Sequence, residues 1–279
     1  MKRSVLKKRE GIQQTLERYK RFDYDYIPFG HNWSIPDGEY QYEQNAFHRA
    51  VTGLVCGILS VTGPVYIRIG YGARVVGKEH LKPLKGKGAI SVCNHFSYLD
   101  TLFIRQATGH FRTYHTIAPW NNKTGIGGAF LRHGKLLPLS PNLSATRNLW
   151  RRMDKLFKEG KIVNFYAEQA MWIAYQKPRP MKEGAFFYAV KFDVPVLPVF
   201  CTFRKTKRGM IRKLRIHICP AVYPDRALPR DERIAKMKKE AEAAWKEVYE
   251  RAYGIPLQYL SREEKTEAAA EECAEEAQA

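Results

Sequence analysis

The sequence has little cysteine, and none of it is arranged for a bridge or a metal. Cys56, Cys93, Cys201, Cys219 and Cys273 are odd in number and form no CxxC pair. That argues against a disulfide framework and against structural zinc, and it fits a reducing compartment. The first 46 residues lack an apolar stretch, so no secretory signal is expected. A GxSxG elbow is missing, which weakens a hydrolase reading. There is no internal repeat and no RNA- or DNA-binding motif. Acidic residues are also scarce, with 28 Asp and Glu against 47 Lys and Arg, a net charge of +19. Seven glutamates crowd into residues 262–279 beside only Arg262 and Lys265, a net of −5. The remaining 261 residues therefore carry +24.

What is present suits a folded chain. At 279 residues and 44% hydrophobic content, a sizeable core forms in one large α/β domain or two small ones. The positive body calls for an acidic partner: nucleic acid, an anionic membrane face or a phosphorylated small molecule. Charge alone supports nucleic acid, and without a motif no such partner is expected.

Residues 50–67 carry no charge. Eighteen residues stand at the lower edge for a membrane span. Gly63-Pro64 is expected to interrupt the run, leaving about 12 to 14 helical residues before it. A helix half-sunk in the membrane face is the expectation, and a buried core helix is the alternative. Gly53 and Gly57 make a small-xxx-small face.

From residue 74 the pattern alternates. RVVGKEHL, GAISVCN, GKLLPLS, KIVNFYAE, VPVLPVFC and KLRIHICPAVY read as strands. LDTLFIRQA, SATRNLWRRMDKLFKEG and EGAFFYAVKF read as helices, and residues 231–253 as an amphipathic helix through Ile234, Met237, Ala241, Trp245 and Val248. The expected fold is α/β: a mostly parallel mixed sheet covered by helices, with an N-terminal membrane-associating helical segment. Four parts follow. Residues 1–46 are a basic, aromatic extension in which 3–22 form a basic helix or a solvated tail. Residues 47–73 are the apolar segment, 74–260 the α/β domain and 261–279 an acidic disordered tail.

The chemistry concentrates in SVCNHFSYLDTLFI, residues 91–104. Residues five apart on a helix diverge by roughly 140°, so His95 and Asp100 meet only if His95 lies in the loop before the helix. Ser97 is a good N-cap for that helix. Two readings stand side by side. Ser97-x-x-Asp100 is a capping box, with Asp100 bonding the Ser97 N–H. Alternatively, Asp100 holds the His95 imidazole in one tautomer, and His95 takes a proton from a hydroxyl attacking an activated carbonyl.

Asn94-His95-Phe96-Ser97-Tyr98-Leu99-Asp100, at a strand-to-helix transition, resembles the first motif of the glycerolipid acyltransferases related to 1-acylglycerol-3-phosphate acyltransferase. The lead-in VVGKEHLKPLKGKGAISVCNH is similar too, as are NFYAEQ, MKEGAFFYAV and VPVLPV, the last resembling a fourth motif centred on Pro198. The likeness covers about residues 74–225. Two motifs depart from the pattern. Ala167-Glu168-Gln169-Ala170-Met171 stands where the family usually has Pro-Glu-Gly-Thr-Arg, and Ser140 stands where an arginine usually closes the second motif.

The resemblance implies an acyltransferase on the cytoplasmic face of the cell membrane, peripheral or monotopic. It implies His95 and Asp100 as the catalytic pair. The donor would be a fatty acyl thioester on coenzyme A or acyl carrier protein. The acceptor would be a lysophospholipid, most simply 1-acylglycerol-3-phosphate, in phospholipid biosynthesis. Asn94, Ser97 and Glu168 are expected at the substrate. Lys177 and Arg179 are expected to replace the missing phosphate-binding arginine, ahead of Arg147, Arg151 and Arg152. Backbone N–H groups at the helix start are candidates for the oxyanion. An anionic membrane surface is an expected partner; a metal or redox cofactor is not. A different lysolipid acceptor, or a non-catalytic lipid-binding protein of the same fold, is the alternative. Trp120, Trp150 and Trp172 are expected to line an acyl groove, to sit at a membrane interface or to pack in the core.

Overall fold

The computed structural model describes residues 45–122, 125–140, 142–206 and 208–259. The expected basic helix at 3–22 and the acidic tail at 261–279 lie outside these residues.

Helix α1 spans Ala46–Tyr71 and is unbroken, so Gly63-Pro64 does not end it as expected. Proline removes a single N–H from the ladder. The Ser60 and Thr62 hydroxyls donate to the Gly57 and Ile58 carbonyls around that gap. At about 1.5 Å per residue the helix is roughly 39 Å long. It is long and apolar enough to cross a membrane. One stripe, Thr52, Cys56, Gly63 and Ile67, is buried, while Leu54, Ile58, Val61, Val65 and Ile69 stay exposed.

Seven strands form one sheet in the order β1-β7-β6-β2-β5-β3-β4. They are β1 (Arg74–Val76), β2 (Ala89–Cys93), β3 (Thr113–Ile117), β4 (Leu136–Pro138), β5 (Ile162–Tyr166), β6 (Val196–Lys205) and β7 (Ile211–Ile218). Every neighbouring pair is parallel except β6 with β7, so the sheet is mostly parallel and mixed, as expected. RVVGKEHL is not one strand. It stops at Val76, because Gly77 turns the chain at φ 80° and a Cβ there would collide with the Ile218 carbonyl. A short 3-10 helix, Lys78–Leu84, follows.

The remaining helices are α2 (Asp100–Thr108), α3 (Gly125–His133), α4 (Leu143–Lys158), α5 (Gly184–Phe192) and α6 (Arg230–Tyr253). Strand β2 is buried at every position, yet its residues still alternate. Ala89 and Cys93 join Ile67, Phe103, Leu197 and Ile216 on one face; Ile90 and Val92 join Met153, Phe186, Met237 and Trp245 on the other. Each large apolar side chain buried in these layers contributes roughly 1.5–3 kcal/mol. The expected core stripe of α6 packs here, with Ile234, Met237, Ala241, Trp245 and Val248 all buried. This arrangement leaves the C-terminal ends of β2, β5 and β6 side by side, the edge where open α/β sheets bind ligands.

Candidate active site

Strand β2 ends at Cys93, and Asn94 fixes the exit. Its Nδ2 donates to the Cys201 carbonyl at 3.1 Å, and its Oδ1 accepts from the Cys201 N–H at 2.9 Å. Asn94 is buried, so it clamps β2 to β6 and does not present itself to a substrate as expected.

His95 follows in the loop before α2, which removes the angular obstacle. Its Nδ1 lies 2.7 Å from Asp100 Oδ2. The same oxygen accepts the N–H groups of Phe96 at 2.9 Å and Ser97 at 3.0 Å. The two sequence readings are therefore one arrangement: the carboxylate that caps the helix start also holds the imidazole. Ser97 is not the N-cap. The helix begins at Asp100 after Leu99, and Ser97 Oγ accepts the Leu99 N–H at 3.2 Å. The N–H groups of Phe96, Ser97 and Leu99 are thus engaged within the loop, which removes them as the oxyanion donors expected there.

Asp100 is 1% exposed. Burial pushes its carboxyl above the usual range; the hydrogen bond from His95, the imidazole's charge and the two backbone N–H groups act the other way. Its Oδ1 is buried without a protein partner among the described residues. The His95 side chain remains 22% exposed, and its Nε2 has no hydrogen-bond partner among the described residues. With Nδ1 held by the carboxylate, Nε2 is the nitrogen free to take a proton.

Two features hold the ring. Tyr166, the last residue of β5, stacks on His95 with centroids 4.0 Å apart and planes 15° apart. Glu168 Oε2 accepts the His95 backbone N–H at 3.1 Å. Glu168 is 4% exposed, and its other contacts are with Arg179: Oε1 accepts the Arg179 N–H at 2.9 Å and Oε2 faces the guanidinium at 3.2 Å. Both oxygens are engaged within the protein, so Glu168 holds the His95 loop in place. The loop after β5 adds two more ties, as Trp172 N–H donates to the His95 carbonyl at 3.0 Å and Ala174 N–H to the Phe96 carbonyl at 2.9 Å.

Arg179 is also buried, with its guanidinium 4.4 Å from the Trp172 ring centroid and bonded to the Ala170 carbonyl. Lys177 is half-buried, its ammonium 5.1 Å from the Tyr259 ring centroid. On α4, Arg147 and Arg151 are exposed, while Arg152 is buried 3.4 Å from the Tyr114 hydroxyl. Ser140 is engaged locally, its Oγ accepting the Asn142 N–H at 3.0 Å. Trp172 is core, and the Trp150 ring lies 3.8 Å from Lys191 Nζ. The Trp120 side chain lies outside the described residues.

Sequence reasoning missed Tyr166. Its signal was its place, two residues before Glu168 at the end of the strand neighbouring β2. The His95 brace by Glu168 left no signal, because a backbone N–H is invisible in a motif.

A buried base–carboxylate pair with one exposed nitrogen, at this sheet edge, suits acyl transfer. Residues 72–202 match the family model described as Acyltransferase. That stretch, 131 of the 279 residues, is similar to the acyltransferase family. The matched stretch contains the His95–Asp100 pair, its Tyr166 stack and its Glu168 brace. Its fold is shared with the crystal structure of the 1-acyl-sn-glycerophosphate acyltransferase of Thermotoga maritima, at 18% identity and a TM-score of 0.51, over 72% of this chain and 84% of that one. At that identity the likeness is one of fold. A search of curated proteins gives no match.

Proposed function

We propose that this acyltransferase moves a fatty acyl group from an acyl thioester, on coenzyme A or acyl carrier protein, to the hydroxyl of a lysophospholipid in phospholipid biosynthesis. The observation that carries the reading is the 2.7 Å contact of His95 Nδ1 with buried Asp100, which leaves Nε2 facing outward. In the proposed step Nε2 takes the acceptor's hydroxyl proton as the oxygen attacks the thioester carbonyl. The Asp100 carboxylate stabilises the imidazolium that forms. The tetrahedral intermediate collapses, the carbon–sulfur bond breaks, and the thiolate recovers the proton from Nε2. Ester, thiol and neutral imidazole result, so the protons and electron pairs balance among these groups. General base assistance of this kind contributes about 10²–10⁴-fold.

1-Acylglycerol-3-phosphate is the proposed acceptor, the substrate named for the Thermotoga maritima enzyme. Lys177 and Arg179 remain the cations proposed for its phosphate, with Arg179 also paired to Glu168 and stacked on Trp172. Membrane association through α1 is part of the same reading. One side of α1 packs on the domain while Leu54, Val61 and Ile69 remain exposed. That suits a helix lying along the membrane face, which is proposed to be the cytoplasmic one.

The test is acyl transfer from a labelled thioester to a panel of lysolipids, comparing the parent with His95→Ala. Product from the parent alone supports the mechanism, and the preferred acceptor fixes the substrate. Equal product from both proteins overturns the dyad.

A further inference from the structure

Strand β6 outruns its neighbour. Cys93, the end of β2, pairs with Val199, and β6 continues six residues further to Lys205. At about 3.3 Å per residue, the β6–β7 hairpin extends roughly 20 Å past the edge that carries His95. Its base is fixed to the active-site loop. Phe203 stacks on Phe96 at 4.7 Å, and Gln176 Nε2 donates to the Phe203 carbonyl at 2.6 Å.

The hairpin's composition is one-sided. Residues 204–215 hold Arg204, Lys205, Lys207, Arg208, Arg212, Lys213 and Arg215. No acidic residue occurs between Asp193 and Asp225. Arg204, Arg208, Arg212 and Lys213 are exposed. Among the described residues, Arg204, Arg208 and Lys213 have no carboxylate partner. Met210, 42% exposed, sits at the tip, where Thr206 N–H donates to its carbonyl at 2.9 Å.

The hairpin is shaped as well as charged. Thr202 pairs with Arg215 and Arg204 with Arg212, so β7 carries one extra residue in a bulge. Lys213 lies within it at φ 51°, a left-handed conformation that bends the strand. The bulge lies beside the end of α1. Arg212 donates to the Gly70 carbonyl and Arg215 to the Gly72 carbonyl at 2.9 Å. Ile69, 79% exposed, is the neighbouring residue of α1.

We propose that the β6–β7 hairpin is a second membrane contact, binding anionic phospholipid headgroups through Arg204, Arg208 and Lys213 and seating the mouth of the active site on the bilayer. The proposal rests on the membrane reading of α1. Charge complementarity and continuity with the α1 apolar face select a lipid surface. Exposed cations on both strands flanking one apolar residue, Met210, match the interface between headgroups and acyl chains. Arg212 and Arg215 tie this finger to α1, so both elements meet the same bilayer.

The experiment is vesicle flotation of the full chain, parent against Arg204→Gln/Arg208→Gln/Lys213→Asn. Asparagine is chosen at 213 because it tolerates a left-handed backbone. Vesicles are phosphatidylcholine alone or mixed with phosphatidylglycerol. Each cation near an anionic surface changes partitioning roughly fivefold. The triple variant is therefore expected to lose roughly a hundredfold on mixed vesicles. It should keep the parent's weaker binding to phosphatidylcholine, its melting temperature and its turnover of detergent-dispersed acceptor. Parent-like binding by the triple variant to mixed vesicles overturns the hairpin proposal and leaves the α1 reading intact. Failure of the parent to bind either vesicle overturns both. Unchanged vesicle binding with a raised KM for an acyl carrier protein donor overturns it in favour of carrier docking.

Discussion

Replacing Asp100 by asparagine separates the two tasks of one carboxylate. The geometry gives both costs. Oδ2 accepts three donors, from His95 at 2.7 Å, Phe96 at 2.9 Å and Ser97 at 3.0 Å. The asparagine carbonyl can occupy that position and keep the backbone bonds. Its amide then falls where Oδ1 lies, buried and without a protein partner. An unpaired buried donor costs about 1–3 kcal/mol. For a domain of this size that lowers Tm by roughly 2–12 °C, well short of unfolding at assay temperature. Catalysis loses more, because no charge remains to stabilise the imidazolium. A rotated amide, donating to Nδ1, would place the proton on Nε2 and disable the base. We expect kcat to fall by about 10²–10⁴-fold, near the loss for His95→Ala. The assay is steady-state turnover with labelled thioester and a saturating lysolipid acceptor, paired with thermal melting. Turnover within about threefold of the parent, in a protein that melts normally, would refute the role given to the carboxylate.

Three other outcomes follow from the same geometry. Glu168→Gln leaves the buried Arg179 without its counter-charge, so chemical denaturation should show a loss of about 3–5 kcal/mol, partly recovered when Arg179→Met is added. Tyr166→Phe keeps the ring on His95 and removes a hydroxyl that is buried without a partner, so Tm should hold or rise and kcat should stay near the parent's, whereas Tyr166→Ala should lower kcat. Burial holds His217 at a pKa of about 4 and His115 well below the usual value, so both stay neutral in the fold while the unfolded chain takes up protons near pH 6.5. Stability should therefore fall as pH drops from about 6.5 towards 4, and His217→Gln should flatten part of that slope in pH-dependent melting.

The strand order shows where sequence reading stopped. Thr113–Ile117 was not recognised as a strand, although β3 is buried at four of its five positions. TYHTI looks polar, but its threonines find internal partners. Thr113 Oγ1 meets Thr108 Oγ1 at 2.7 Å, and Thr116 Oγ1 donates to the Asn164 carbonyl at 3.1 Å. Helix α3 was missed for a similar reason. GIGGAFLRH opens with three glycines in four residues, and what fixes it is packing beside α1. The full length of α1 was hidden by Pro64, since local rules weigh a missing N–H and not the ladder on either side.

By itself, the sequence determined the covered α/β layers, because continuous apolar strands alternating with amphipathic helices bury their surfaces in few other ways. It also fixed where His95 must lie if it is to meet Asp100, because residues five positions apart diverge on a helix and close only with the histidine in a loop, while the spacing itself left the capping reading open. What the other polar residues do was decided by tertiary structure alone. Asn94, Glu168 and Arg179 read as substrate contacts in one dimension. In three dimensions Asn94 bonds Cys201, and Glu168 and Arg179 bond each other, with Glu168 also accepting the His95 backbone N–H. A side chain's neighbours across the sheet, which no spacing along the chain records, determine whether its hydrogen bonds face a ligand or the protein itself.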